Sequence, residues 1–128
     1  MRFRGPVLDT GALDAVTTAQ FYAALLGWTV THQEVSETES WALVQSPSRE
    51  LKIELQGTPD YQRPVWPNEA DRQQMMAHLD IAVDDVEAAV ARAVELGATE
   101  AHHQPRAGQR VLLDPSGHPL CLFPGDVG

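Results

Sequence analysis

The sequence is short of cysteine, of positive charge and of long apolar runs, and each shortage excludes something. A single cysteine, Cys121, cannot form an internal disulfide, so no covalent staple is expected and the chain suits a reducing compartment. No apolar run approaches the ~20 residues a membrane-spanning helix needs. The opening MRFRGPVLDTG has neither the apolar segment nor the small-residue cleavage site of a secretory signal. A cytoplasmic chain with no membrane partner is the expectation. Nine Lys and Arg stand against 18 Asp and Glu, a net charge of -9, and beyond Arg2 and Arg4 the basic residues are scattered. Such a chain repels phosphate backbones, and nucleic acid is not an expected partner. A phosphate-cradling glycine loop, a serine nucleophile elbow and a zinc-spaced cysteine pair are all missing, so no nucleotide cofactor is indicated.

What is present is the composition of a folded domain. With 128 residues, 43% of them hydrophobic and 21% charged, the chain can bury a real core as one domain, 1–128. Val7 and Leu8 lead into the turn-forming DTG and read as a strand. A helix follows, with Thr17 and Gln20 placed as a capping box, Phe21 and Leu25 on one face and Gly27 as a left-handed C-cap. Trp28, just past that cap, reads as an anchor of the helix on its sheet. WTVTHQEV and SWALVQS alternate as two strands joined by a turn at Glu37 and Thr38, and LKIELQ alternates as a third.

Residues 57–74, with three prolines and no sustained period, read as a long connection. Then HLDIAV alternates, with His78, Asp80 and Ala82 on one side. Asp84 and Glu87 form a second capping-box candidate, Val86, Val90 and Val94 line one helical face, and Gly97 stops the helix. ATEAHHQ and QRVLLD read as strands, DPSG as a type I turn, and PLCLF as a final apolar strand.

The two halves have the same order of elements and share local residues. VLD matches HLD, LLGW matches ELGA, LVQSPS matches LLDPSG and KIEL matches LCLF. A small unit that cannot cover its own sheet face gains stability by duplication, so the repeat predicts two packed modules. The expected architecture is α+β: two tandem βαβββ modules whose eight strands curve around a central cavity, module 1 at about 5–56, a connection at 57–75 and module 2 at about 76–124.

With FYAALLGW in the first module and HLDIAVDDVEAAVARAVELGA plus LLDPSGHPLCLF in the second, the chain resembles the vicinal oxygen chelate superfamily, and within it the small glyoxalase-like and bleomycin-resistance proteins. The resemblance implies metal-ligand positions on the first and last strand of each module, which fall here on Val7, Glu54, His78 and Cys121. Glu54 and His78 suit a divalent ion; Val7 has no ligating atom, and a Cys121 thiolate would favour zinc or copper. Three protein ligands is the usual minimum for a catalytic zinc, so the set falls short. His102 and His103, adjacent on a predicted strand, would point to opposite faces, and His118 lies in the turn before the last strand.

His78 is read either as a cleft-lining imidazole hydrogen-bonded to Glu54 or water, or as a ligand-contacting or acid–base group. Glu54 could face solvent beside Lys52 and Gln56, although the repeat points it into the cleft. Cys121 reads first as a small buried hydrophobe. The resemblance makes the Trp66 connection a wall or lid of the cleft; packing at the module junction or on a second subunit is the other reading of Trp66. Three functions follow. In the first, a small organic molecule binds between the modules without a tightly bound metal, shaped by Val7, Trp41, Trp66, Cys121 and Phe123 and oriented by His78 and Glu54. The second is a metal-dependent lyase, isomerase or dioxygenase with Glu54 and His78 on the ion. The third is an interaction module without a ligand. The resemblance implies a homodimer.

Overall fold

The computed structural model describes residues 1–125; residues 126–128, the end of the expected domain span, lie outside the described residues. The chain falls into two compact units, Met1–Gln62 and a second from Arg63 onward. The first contains β1 (Val7–Gly11), α1 (Ala15–Leu26), β2 (Thr29–Val35), β3 (Ser40–Gln45) and β4 (Lys52–Thr58). In the second are β5 (Leu79–Val83), α2 (Val86–Glu95), β6 (Thr99–Glu100), β7 (Arg110–Leu113) and β8 (Pro119–Pro124). The α+β reading and the repeated βαβββ order hold, and the strands form two separate four-stranded sheets of the same topology, β1-β4-β3-β2 and β5-β8-β7-β6. In each, the first strand runs parallel to the last and the remaining pairs are antiparallel.

Strand alternation decides which side chains meet each helix. In the first unit α1 lies on β3 and β4, and Ala19 and Tyr22 of the helix are buried together with Ala42, Val44 and Leu55 of the sheet. Each large apolar side chain buried this way stabilises by ~1.5–3 kcal/mol. In the second unit α2 contributes Val90 and Ala93, and the strands contribute Leu112, Leu120 and Leu122. Val94, expected on the buried face, is 47% exposed. The buried stripe steps from Val90 to Ala93, three residues on, which turns position 94 toward solvent.

Both helix starts differ from the capping boxes read in the sequence. Thr17 lies inside α1, whose N-cap, Asp14, makes no side-chain cap bond. A residue from another element does the capping: the Ser40 hydroxyl accepts from the Ala15 amide at 3.1 Å and donates to the Ala12 carbonyl at 2.8 Å. Gly57 permits this close approach, since a β-carbon there would overlap the Ala12 carbonyl and crowd Ser40. In α2 the cap is Asp85, one residue after Asp84, with its carboxylate accepting from the Ala88 amide at 3.0 Å. Glu87 turns instead to Arg110, at 2.6 Å.

The helix ends repeat closely. Gly27 has φ 67°, and the Trp28 amide donates back to Ala23 O at 2.9 Å; Gly97 has φ 120°, and the Ala98 amide donates to Ala93 O at 2.9 Å. The turns before the last strands are also equivalent. Ser46 accepts from the Arg49 amide (2.8 Å), as Asp114 does from Gly117 (2.9 Å). The Ser46 hydroxyl accepts from Leu51 N, where the Asp114 carboxylate accepts from Ser116 and His118. The structural repeat thus aligns Ser46 with Asp114, one residue off the sequence match of LVQSPS with LLDPSG.

The strand read over ATEAHHQ is only Thr99–Glu100. Beyond it the Gln104 side chain takes over the pairing. Its amide nitrogen donates to Ala101 O (2.7 Å) and Val111 O (2.9 Å), while its oxygen accepts from Val111 N at 2.8 Å. A side chain satisfies β7 there, so His102 and His103 lie in a loop, and the alternation argument for them lapses.

Candidate functional site

On the second sheet, Asp80 pairs with Cys121, and Cys121 with Val111, so these side chains share the face opposite α2. A cavity of about 440 Å³ lies over this face. The sheet supplies Cys121 and Phe123, with His78 and Asp80 at its edge. The loop before β7 adds Pro105, Arg106 and Gln109, and the connection adds Trp66 and Met75.

Hydrogen bonds hold the connection against the rest of its unit. The Trp66 indole N–H donates to His103 O at 3.1 Å, with the two rings 6.1 Å apart. Val65 N donates to Gln73 O at 2.9 Å, and Asn68 Oδ1 accepts from Met75 N at 3.2 Å. The peptide between Trp66 and Pro67 is cis. Arg63 donates to Pro115 O at 2.7 Å, crossing Gly117, where a β-carbon would strike its side chain. The residues read as a long connection thus belong, from Arg63 onward, to the second unit and furnish one wall of its cavity.

The polar groups at the cavity carry both signs. His78 Nε2 is 3.4 Å from Asp80 Oδ1, and both side chains are about half exposed, at 48% and 62%. Within its unit, His78 thus has a partner on its own strand edge. Burial pushes the Cys121 thiol above its ordinary pKa, Asp80 raises it further, and Arg106 opposes with a smaller lowering effect. The Cys121 S–H points to Gln109 Oε1 at 3.7 Å. Arg106 makes no ion pair among the described residues.

Of the residues singled out in the sequence, Trp66, His78, Cys121 and Phe123 come together here. Val7, Trp41 and Glu54 belong to the first unit and form a group of their own. Glu54 pairs with Val7 across β1 and β4, accepts from the Trp41 indole N–H at 3.4 Å, and meets Arg4 at 3.5 Å. The register also separates corners that the resemblance equates, because Cys121 lies opposite Asp80, two residues past His78. Sequence reasoning missed Met75, Pro105, Arg106 and Gln109. Asp80 was legible from its alternation with His78; the loop residues carry no period that would single them out.

Within each unit the candidate donors fall short of a metal-binding set. The Val7 side chain has no ligating atom, the Glu54 oxygens lie 3.5 Å from Arg4 and 3.4 Å from the Trp41 indole nitrogen, and His78 lies 3.4 Å from Asp80. Among the described residues no three His, Cys, Asp or Glu side chains are grouped to hold a metal ion.

Fold and cavity together define a duplicated α+β protein of the vicinal oxygen chelate class. A family profile described as a glyoxalase-like domain matches residues 6–123, and the chain belongs to that family. No curated protein sequence matches the chain. Among solved structures it is similar to a glyoxylase/bleomycin resistance protein/dioxygenase domain from a Frankia species, at 19% identity and a TM-score of 0.63 over 100% of this chain and 94% of that one. TnmS3, an antibiotic binding protein from a Streptomyces species, is 18% identical with a TM-score of 0.54 over 98% of each chain. The fosfomycin resistance protein FosX from Listeria monocytogenes, complexed with Mn(II) and sulfate, is 13% identical with a TM-score of 0.65 over 98% of this chain and 93% of that one. At these identities the likeness is one of fold.

Proposed function

We propose that the second module's cavity binds a small organic molecule with a flat or apolar body and a polar edge, without a resident metal ion. The observation that carries this reading is the meeting of apolar walls, Trp66, Met75 and Phe123, with convergent polar groups in one cavity of about 440 Å³. That size and that mixture are what small-molecule sites have, since apolar contact supplies affinity and a few placed polar atoms fix orientation. Trp66 offers a ring face for stacking. Arg106 offers an uncommitted cation for an acidic or electron-rich edge, and the His78–Asp80 pair offers a donor and an acceptor in the same cavity. The naming of TnmS3 as an antibiotic binding protein is in keeping with a sequestering role for such a fold. The homodimer implied by the family resemblance is part of this reading, and light scattering at twice the chain mass is the expected result.

Titration of a panel of aromatic carboxylic acids and quinones, followed by tryptophan fluorescence, tests it. Saturable quenching that is lost in Trp66→Phe is expected. No saturable response to any member would overturn the proposal, and binding that requires added Mn(II) or Zn(II) would replace it with the metal-dependent alternative.

A further inference from the structure

The first module holds a second site of different character, and its evidence is independent of the cavity just described. Of the nine Lys and Arg residues, Arg2, Arg4, Arg49 and Lys52 gather around one cavity of about 520 Å³, together with Phe3 and Glu50. In the sequence these cations lie in two distant pairs. The fold joins them: β1 runs parallel to β4, the Glu54 amide donates to Pro6 O at 3.1 Å, and Gly5 sits against the Lys52 carbonyl. The segment before β1 thus lies beside the start of β4, and the β3–β4 turn brings Arg49 to the same place.

Four cations in one small cavity repel one another, and the carboxylates at hand do not balance them. Glu50 lines the cavity, and of the four cations Glu54 meets only Arg4, at 3.5 Å. This concentration of positive charge stands on a chain whose net charge is -9. Arg49 supplies a separate clue. It has φ 65°, a left-handed conformation that strains any residue with a β-carbon, while the equivalent turn of the second module uses Gly117 at φ 94°. The backbone there is served better by glycine, and the arginine that stands in its place is one of the residues lining the cationic cavity.

We infer that this cavity binds a phosphate group, inorganic or carried on a small molecule. Guanidinium forks match phosphate oxygens in pairs, and several of them spread over one anion relieve their mutual repulsion. The acidic remainder of the chain disfavours a long polyanion, so a single phosphate or pyrophosphate unit fits the local charge.

Calorimetric titration at low ionic strength with inorganic phosphate, pyrophosphate and phenyl phosphate tests the assignment. Saturable binding that weakens with added salt is expected, reduced about tenfold in Arg49→Gly, the loss of one charge-assisted contact. The same variant should melt at the wild-type temperature or above, because glycine relieves the left-handed turn. Lys52→Gln should also weaken binding, whereas Trp66→Phe should leave it unchanged, which separates this site from the proposed organic-ligand cavity. Tighter binding of phenyl phosphate than of phosphate would mark a phosphate ester as the ligand, and equal binding would mark the free anion. No saturable binding, equal affinity in Arg49→Gly, or binding of heparin alone would overturn the inference.

Discussion

The Cys121 thiol has its pKa raised for a physical reason that can be read from its neighbours. Burial disfavours the thiolate, Asp80 on the adjacent strand repels it, and Arg106 only partly offsets them. Alkylation by iodoacetamide near pH 8 should therefore be slower than for an exposed cysteine, and Asp80→Asn should speed it; a faster rate in the wild type would contradict the account. The sign for stability follows. A pKa raised in the folded state means that the neutral thiol stabilises the fold below the thiol's ordinary pKa, and that this contribution is lost as pH rises through the higher folded value. At His78 the test is a split between two measurements. With its side chain about half exposed, His78→Ala should change unfolding free energy by no more than about 0.5 kcal/mol while weakening ligand quenching severalfold. Equal loss of both would make the residue structural. His78, Cys121 and Phe123 were legible because strand alternation and the repeat assign them a face. Arg106 and Gln109 were not, because a loop residue's direction depends on what the loop packs against.

Elements were legible wherever period and punctuation agree. The strands and both helices fall near their expected places, since apolar alternation, Gly27 and Gly97 are local signals. The starts of the helices were not, for opposite reasons. At α2 two aspartates stand side by side, and only backbone angles choose Asp85. At α1 the capping oxygen comes from Ser40, twenty-five residues away, which no local pattern contains. Ser40→Ala should then lower stability by about 1–3 kcal/mol, because it leaves a buried amide and a carbonyl without their partner. Thermal unfolding measures this, and a negligible shift would show that water replaces the hydroxyl. A comparable loss is expected for Gln104→Ala, which would also expose the Val111 amide to faster hydrogen exchange.

At the scale of the molecule, the duplicated sequence predicts a duplicated topology, and two four-stranded sheets with one strand order follow from it. On the proposed reading, adding Mn, Ni, Zn or Fe, or treating the protein with a chelator, should move the melting temperature by less than a degree or two; a stoichiometric rise would show a site that the donor set does not explain. The sequence by itself determined the secondary elements, the repeat and the acidic character, because periodicity, turn residues and charge are local or additive. The tertiary structure alone decided that Trp66 and Arg106 share a cavity with His78, that Glu54 turns to Trp41 and Arg4, and that four scattered cations meet. Such encounters depend on strand register and on loops folding back over a sheet, and neither leaves a trace in spacing along the chain.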